Sequence, residues 1–121
     1  MIALDELRVY QLAMKIGESI WRIVDTWHFF HRDTVGKQMV RSADSIAANI
    51  SEGFGRYHYK ENKQFVYYSR GSLYETKTWV IKAHSRGLIS DDLFTSLTQD
   101  LEELGVKLNN YLHSIGKSQR K

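Results

Sequence analysis

The stretch Arg41-Ser-Ala-Asp-Ser-Ile-Ala-Ala-Asn-Ile-Ser-Glu-Gly-Phe-Gly-Arg56 carries two helical rows side by side. One row is apolar, and its members recur at steps of three and four residues, the spacing of a helix face turned toward a core. The neighbouring row is polar and mostly small. The apolar row is Met39, Ala43, Ile46, Ile50 and Gly53, and the polar row is Ser42, Ser45, Asn49, Glu52 and Arg56.

The polar row is unusual for a surface helix. A solvated helix face normally carries Lys and Glu, because Ser and Asn are weaker helix formers. Small polar side chains instead let a second helix approach closely and exchange hydrogen bonds. We therefore expect this helix to be packed on both sides, within a bundle and against a second subunit. The alternative is the edge of an ordinary bundle in which several serines are tolerated.

Helical spacing continues through most of the chain, which contains no proline. The pattern predicts an all-α protein, an antiparallel up-down-up-down four-helix bundle formed by a single domain over residues 1–121. The helices are expected at about residues 4–30, 33–54, 60–86 and 91–115. The first turn is expected at Phe29 to Arg32, with Asp33 or Thr34 as the cap of the second helix. The second helix is expected to end in a left-handed backbone at Gly53 and Gly55. Gly87 is expected to end the third helix, and Ser90 to cap the fourth.

The third predicted helix also has a polar row beside its apolar one. Its Ser72 and Glu75 are expected to pair with Ser45, Asn49 or Arg56, because a partly buried carboxylate needs a hydrogen-bonded partner. The expected core rows are Val66, Ser69, Leu73, Thr76, Val80 and Ala83 in the third helix, and Phe94, Leu97, Leu101, Leu104, Leu108, Tyr111 and Ile115 in the fourth.

The large aromatic side chains of the first and third helices exceed what one narrow core can hold. They cannot all point at one bundle axis, so part of their surface either meets another subunit or thickens a monomer core. The residues concerned are Trp21, Trp27, Phe65 and Trp79.

Composition excludes several classes of protein. With 121 residues, of which 42% are hydrophobic, the chain can bury a real core without disulfides. It has no cysteine, which excludes disulfides, thiolate metal sites and a cysteine nucleophile. Charges interrupt every apolar run in the first thirty residues, so we expect no signal peptide or membrane span and a soluble cytoplasmic protein.

The positive charge is concentrated in one segment. The net charge is +3, yet residues 56–86 hold seven Lys and Arg against two Glu. Such a field attracts a polyanion or an acidic protein face, whereas the simpler interpretation is a solvated helix. The sequence Arg56-Tyr57-His58-Tyr59-Lys60, continued by Lys63, Tyr67 and Arg70, interleaves cations with aromatics, a pattern that suits unpaired RNA.

The predicted nucleic-acid-binding residues are Arg56, Tyr57, Tyr59, Lys60, Lys63 and Arg70. Two alternatives stay open. The segment is a solvated, partly interfacial helix start, or its arginine belongs to structural ion pairs, with Arg41 and Arg56 as mates for Glu52 and Glu75. No GXXG loop or aromatic RNP sequence accompanies the segment.

The sequence gives little support to an enzyme. A carboxylate-bridged metal bundle needs Glu-x-x-His on two helices, and the nearest fragment is a single Asp25-x-x-His28. No HExxH and no nucleophile elbow are present. We expect no catalytic residue, no metal and no cofactor, and keep a metal enzyme only as the third hypothesis behind a nucleic-acid scaffold and a protein-interaction module.

Three motifs together resemble a known bacterial family. They are the Arg41 to Arg56 stretch, Gly71-Ser-Leu-Tyr-Glu-Thr76, and Gly87-Leu-Ile89. The family is that of the four-helix-bundle proteins encoded in intervening sequences of ribosomal RNA genes, distantly like the accessory variability proteins of diversity-generating retroelements. Relatives often have a Phe-Pro turn before the second helix, where this chain has Phe29-Phe30-His31-Arg32 without proline.

The resemblance implies a ring-like homo-oligomer, a pentamer in the best-described relatives, with a basic surface that contacts RNA or DNA. The alternative function is a protein-interaction or accessory module for a nucleic-acid enzyme such as a reverse transcriptase. The signature positions that it identifies are structural rather than catalytic: Arg41, Ser45, Asn49, Glu52, Gly53, Gly71, Ser72 and Glu75.

Overall fold

The structure is a computed structural model that describes residues 2–117. This part of the chain is helical and contains no strand. A 3-10 turn at Leu4–Glu6 precedes α1 (Arg8–Asp25). A single turn, α2 (Phe29–His31), runs through a π-helical segment (Arg32–Gly36) into α3 (Lys37–Phe54). The chain ends with α4 (Tyr59–Ser85) and α5 (Asp91–Ser114).

The four long helices form a closed square. α1 packs against α3, α3 against α4, α4 against α5, and α5 back against α1. Short connections make sequential helices antiparallel, so the predicted four-helix bundle is confirmed. The predicted core row of α4 is buried throughout, and in α5 the row from Leu97 to Leu108 is buried while Phe94 and Tyr111 are half-buried.

The first turn lies earlier than the sequence predicts. Residues 26–28 form it, and Phe29 and Phe30 already belong to the next helix. Thr34 caps nothing, because its hydroxyl donates to the carbonyl of Phe30, 2.6 Å away in the preceding turn. The helical hydrogen bonds therefore continue through the residues that were expected to start the helix, and Asp33 lies inside the π-helical segment.

The glycines at the end of α3 have a different role from the predicted one. Neither adopts a left-handed backbone, and Gly55 has φ −78°. Gly53 is buried where α3 and α4 approach closely: a Cβ there would lie 2.8 Å from Phe65 Cβ and 2.9 Å from the Asn62 carbonyl oxygen. The other predicted signals are confirmed, since Gly87 has φ +74° and the Ser90 hydroxyl accepts from the Leu93 amide.

Polar contacts between α3 and α4 involve other residues than predicted. The buried Ser69 hydroxyl donates to the Ile46 carbonyl at 2.8 Å, and Thr76 Oγ1 lies 3.0 Å from Ser42 Oγ. The expected pairing of Ser72 and Glu75 with α3 is wrong. Ser45 and Asn49 bond to carbonyls of their own helix, Ser45 to Arg41 and Asn49 to Ser45.

The large aromatics divide between core and surface. Trp27 and Trp79 pack partly buried against the core, and Phe65 is half-buried, whereas Trp21 is 54% exposed. The interpretation that one bundle core cannot enclose all four is therefore confirmed. None of the helices within residues 2–117 combines the length and apolar character needed to cross a membrane.

Candidate nucleic-acid interface

The predicted basic segment begins at the corner between α3 and α4. The Arg56 guanidinium lies 3.6 Å from a Glu52 carboxylate oxygen and 4.7 Å from the centre of the Phe65 ring. Tyr57 is 90% exposed, and its ring meets that of His58 edge-on at 4.9 Å. Arg56 thus makes one of the expected ion pairs and steadies the corner, while Tyr57 is open to solvent.

The start of α4 contacts the far end of the chain. A Cβ on Gly116, which has φ +83°, would lie 3.2 Å from Tyr59 Cδ2, so one edge of the tyrosine ring rests on the chain beyond α5. The rest of Tyr59 is exposed, as is Lys60. Tyr59 therefore combines a packing contact with an accessible ring.

Cations and tyrosines form a line along one face of α4. Steps of three and four residues separate its members, so they lie above one another on the helix over about 25 Å. Tyr67 and Tyr74 are each about half exposed, at 50% and 53%, and Arg70 is exposed. We call this line the α4 stripe: Lys60, Lys63, Tyr67, Arg70, Tyr74 and Lys77.

Neighbouring members of the α4 stripe contact one another. The Arg70 guanidinium lies 5.9 Å from the centre of the Tyr74 ring, and Lys77 Nζ lies 4.9 Å from the same point. Such cation–π contacts hold the tyrosine ring between two positive charges. Lys77 also pairs with Glu102 of α5 at 3.1 Å, which fixes this end of the stripe to the neighbouring helix.

A groove of about 270 Å³ runs beside the α4 stripe, between α4 and α5. Tyr67, Arg70 and Tyr74 line one wall. Gly105 and Val106 of α5 line the other, and the lack of a side chain at Gly105 leaves the groove open. An extended chain with flat, unpaired rings and a negatively charged backbone fits this arrangement.

The structure separates the predicted site residues into two groups. Lys60, Lys63 and Arg70 lie on the α4 stripe, whereas Arg56, Tyr57 and Tyr59 lie at the corner before it. Sequence reasoning missed Tyr74 and Lys77, which are as much part of the stripe as Tyr67. The signal was available, because both continue the same alternating spacing.

Residues 5–110 match the model of the 23S rRNA-intervening sequence protein family. The chain belongs to this family. The resemblance found in the sequence motifs is thereby confirmed over most of the chain.

A solved structure agrees with the fold of this family member. It is a protein of unknown function of the S23 ribosomal protein family from Bacteroides thetaiotaomicron. The two share 19% sequence identity with a TM-score of 0.80, over 93% of this chain and all of the other. At this identity the likeness shows the fold alone. No curated protein is significantly similar to the chain.

Most of the predicted signature positions lie on and beside the contact between α3 and α4, whereas Arg41 lies toward α1. Gly53 is buried in it, and Ser45, Asn49 and Ser72 are half-buried at its edge. The predicted ion pair of Glu75 with an arginine is absent from the described residues, because Glu75 is exposed and accepts from Trp79 Nε1 at 3.1 Å. The remaining exposed signature residues are Arg41, Glu52 and Gly71.

Carboxylates and imidazoles are scattered over the part of the chain that the structure describes. Within residues 2–117, no three such side chains come close enough together to hold an ion. The His84 imidazole does meet a carboxylate, that of Asp91, at 2.7 Å, and its ring stacks on Phe94 at 4.1 Å. This pair joins the end of α4 to the start of α5.

Proposed function

We propose that this protein is a non-enzymatic, homo-oligomeric scaffold that associates with single-stranded nucleic acid through the α4 stripe. One observation carries the proposal: cations and half-exposed tyrosines alternate along one helix face beside an open groove. Lysine and arginine side chains neutralise phosphates and release counterions. Tyrosine rings stack on bases of any sequence, provided that the bases are unpaired.

The corner before α4 extends the proposed interface. Tyr57 offers an almost completely exposed ring, and Lys60 begins the α4 stripe directly after the corner. Because Arg56 is already engaged by Glu52 and Phe65, its proposed role is to hold the corner in place. The strand would therefore run from Tyr57 along the stripe to Lys77.

Self-association is part of the proposal, through the face where the family signature lies. This face combines an exposed ring, Tyr68, with the half-buried Phe65 and Trp79 and with small polar side chains at Ser45 and Ser72. Aromatic rings interspersed with small residues are suited to close packing against a second copy. The face lies between α3 and α4, so it leaves the groove between α4 and α5 uncovered. We also propose a cytoplasmic location, in keeping with a chain free of cysteine.

A second candidate function is an accessory module that binds a nucleic-acid enzyme, for instance a reverse transcriptase. Tyr57 and Tyr59 favour it, because exposed tyrosines at a protruding corner are also typical anchors of protein interfaces. In that case binding is lost on replacing Tyr57 and Tyr59 and is unaffected by nuclease. Nucleic-acid binding by the stripe predicts the opposite result with nuclease, which should abolish the association.

The proposal is tested by size exclusion coupled to light scattering, with and without a mixed-sequence single-stranded RNA, at low and high salt. We expect one discrete oligomer that takes up the RNA at low salt and releases it at high salt. A discrete oligomer that ignores the RNA would overturn the nucleic-acid function and favour the accessory module. A monomer under all conditions would overturn the scaffold.

A separate set of tyrosine variants tests whether the rings of the α4 stripe stack on bases. Replacing Tyr67 and Tyr74 by Ala should weaken RNA binding by about tenfold or more, since each stacked base contributes about 1–3 kcal/mol. Replacing Tyr10 by Ala is the control, because this tyrosine lies on α1, away from the groove. A single-stranded DNA and an RNA duplex are measured in parallel. Equal binding of the duplex would contradict stacking on unpaired bases.

A further inference from the structure

An open cavity lies on the side of the bundle opposite the α4 stripe. It has a volume of about 500 Å³ and opens where α1 ends and the chain turns into α3. Trp21 and Val24 of α1 form one wall, and Val40 and Arg41 of α3 form the other. The π-helical segment closes the end. We call this cavity the α1–α3 pocket.

The π-helical segment is held in place by a close contact with α1. Gly36, its last residue, is buried, and a Cβ there would lie 2.7 Å from Val24 Cγ1 and 3.2 Å from Trp27 Cε3. Isolated π turns occur often at functional sites, because they widen the helix and redirect side chains. Here the segment directs Arg32 and Asp33 to the pocket.

The rim of the α1–α3 pocket exposes large aromatic surfaces. Trp21 is 54% exposed and Phe29 is 68% exposed. Their rings border a cavity, whereas an isolated exposed aromatic borders bulk water. A flat ligand that covers the indole would remove this apolar area from water.

Within residues 2–117, the charged side chains of the pocket form no ion pairs. Arg32, Lys37 and Arg41 line it, and none of them forms an ion pair with a carboxylate of residues 2–117. Asp25 and Asp33 also line it, and in the same part of the chain neither is engaged by a cation. The pocket thus offers anion-binding groups and hydrogen-bond acceptors at once.

We propose that the α1–α3 pocket binds a nucleoside monophosphate. Its flat base would lie against Trp21, and the N–H groups on the edge of the base would donate to Asp25 or Asp33. Its phosphate would meet Lys37 and Arg41, which lie one helical turn apart on α3. The same chemistry occurs in a free nucleotide and at the phosphorylated end of a single strand.

Simpler ligands use only part of these groups. A purely apolar ligand would leave three cations and two carboxylates without partners beside it, and such groups lose hydration when a pocket is filled. Inorganic phosphate would meet the cations but leave the aromatic rim exposed. A nucleotide offers a partner to the cations, to the carboxylates and to the aromatic rim. The pocket therefore suits a nucleotide better than either simpler ligand.

The pocket is independent of the proposed strand-binding face. In the square of helices, the α1–α3 contact lies opposite the α4–α5 contact. Loss of binding at one face therefore leaves the other intact, so failure of this inference and failure of the proposed function are distinguishable. The inference goes beyond the scaffold function, because it assigns a second ligand to a second site.

Isothermal titration calorimetry with AMP, adenosine and inorganic phosphate tests the proposal. We expect saturable AMP binding, and binding of adenosine and of phosphate that is weaker by about tenfold or more. Phosphate binding as tight as AMP binding would overturn the proposal, as would the absence of AMP binding by the folded protein. A 5′-phosphorylated oligonucleotide and its 5′-hydroxyl form then distinguish the sources. A strand end is the ligand if the phosphorylated form binds more tightly than the 5′-hydroxyl form, and a free nucleotide is the ligand if the two forms bind alike.

Variants locate the site. Trp21→Ala should weaken AMP and adenosine alike, with recovery in Trp21→Phe, which retains an aromatic face. The double variant Lys37→Gln/Arg41→Gln should weaken AMP and leave adenosine unchanged. The control Lys15→Gln/Arg22→Gln removes two exposed cations of α1 that do not line the pocket. AMP binding that resists the first two changes, or that falls equally in the control, would overturn the assignment.

Discussion

The two flanks of α4 differ in the size of their polar side chains. Toward α3 the polar residues are small, and Ser69 and Thr76 are fully buried in hydrogen bonds. Toward α5 they are long, and Arg70, Tyr74 and Lys77 line an open groove. Both flanks alternate polar and apolar rows with the same helical period. Size therefore decides whether a polar row becomes a helix contact or a binding surface.

The reason is geometric. A serine or threonine hydroxyl reaches the facing helix only when the backbones are close, and glycine allows that closeness at Gly53. A lysine or tyrosine beside the core extends past the neighbouring helix and leaves its polar end in water. The following changes, in order of decreasing effect, test how far this distinction holds.

The largest effect on stability is expected at the closest approach of α3 and α4. Gly53→Ala places a Cβ within 2.9 Å of three atoms of α4, namely Asn62 Oδ1, Phe65 Cβ and the Asn62 carbonyl oxygen, so the helices must separate. The expected loss is about 1–3 kcal/mol in the free energy of unfolding. Urea denaturation measures it.

Gly71→Ala is the matched control for that change. Gly71 is a helical glycine on the same pair of helices, but an added Cβ would meet nothing within 4 Å. This variant should gain about 0.5–1 kcal/mol, because alanine favours the helix. Equal effects of the two substitutions would show that Gly53 is not a contact residue.

The next largest loss of stability is expected on removing a buried hydroxyl group. Ser69→Ala removes the 2.8 Å hydrogen bond to the Ile46 carbonyl in the interior and should cost about 1 kcal/mol. Ser72→Ala is the control, since Ser72 lies half-buried on the same flank and its hydroxyl makes no hydrogen bond within residues 2–117. The two free energies of unfolding should differ, and identical values would contradict the packing role of the small polar row.

The contact between α1 and α3 adds a case in which a small residue faces a charged side chain. A Cβ on Gly17 would lie 2.9 Å from Asp44 Oδ1, so this small residue admits a carboxylate. Burial, with a smaller contribution from Glu18, raises the pKa of Asp44 above its ordinary 3.8. The folded state thus favours the protonated acid, and ionisation destabilises the fold.

Asp44→Asn should therefore stabilise the protein at pH 7, by less than about 1 kcal/mol because Asp44 is exposed. The ionised Asp44 carboxylate destabilises the fold fully above the raised pKa and not at all below pH 3.8. The gain in the free energy of unfolding of the Asn variant should therefore shrink as the pH falls toward 4. Chemical denaturation at pH 7 and pH 4 measures the trend, with Glu18→Gln expected to give a smaller gain. A gain that grows on acidification would contradict the assignment.

The smallest effect is expected at Glu75. The sequence pattern indicated a buried ion pair whose loss weakens folding, but Glu75 is exposed and bonds only to the Trp79 indole. Glu75→Ala should change the free energy of unfolding by no more than about 0.5 kcal/mol. A loss of several kcal/mol, or a change in oligomer size on light scattering, would restore the original interpretation.

Much of the fold was predictable because apolar periodicity identifies the core faces. The α4 row from Val66 to Ala83 and the α3 row from Met39 to Gly53 are buried as the spacing predicts. The geometry of the first turn was harder to predict from the sequence. Phe29 and Phe30 look like a hydrophobic turn, yet a continuous ladder of hydrogen bonds through the π segment includes them in a helix.

The candidate site was only partly predictable. Lys60, Lys63 and Arg70 follow from the charge count, but the count alone did not extend the pattern to Tyr74 and Lys77 on the same face. One alternative from the sequence placed Arg41 in a structural ion pair, whereas it lines the α1–α3 pocket. Part of its surroundings comes from α1, on the other side of the turn, and a pattern read along α3 alone does not show it.

The most direct test of the α4 stripe is the salt dependence of RNA binding in a triple variant. Lys60→Gln/Lys63→Gln/Arg70→Gln should reduce the slope of log K against log salt by about 2, with unchanged stability. The control Lys15→Gln/Arg22→Gln/Lys82→Gln removes the same charge from other exposed positions and should leave the slope nearly unchanged. Equal slopes in the two variants would contradict a strand-binding role for the α4 stripe.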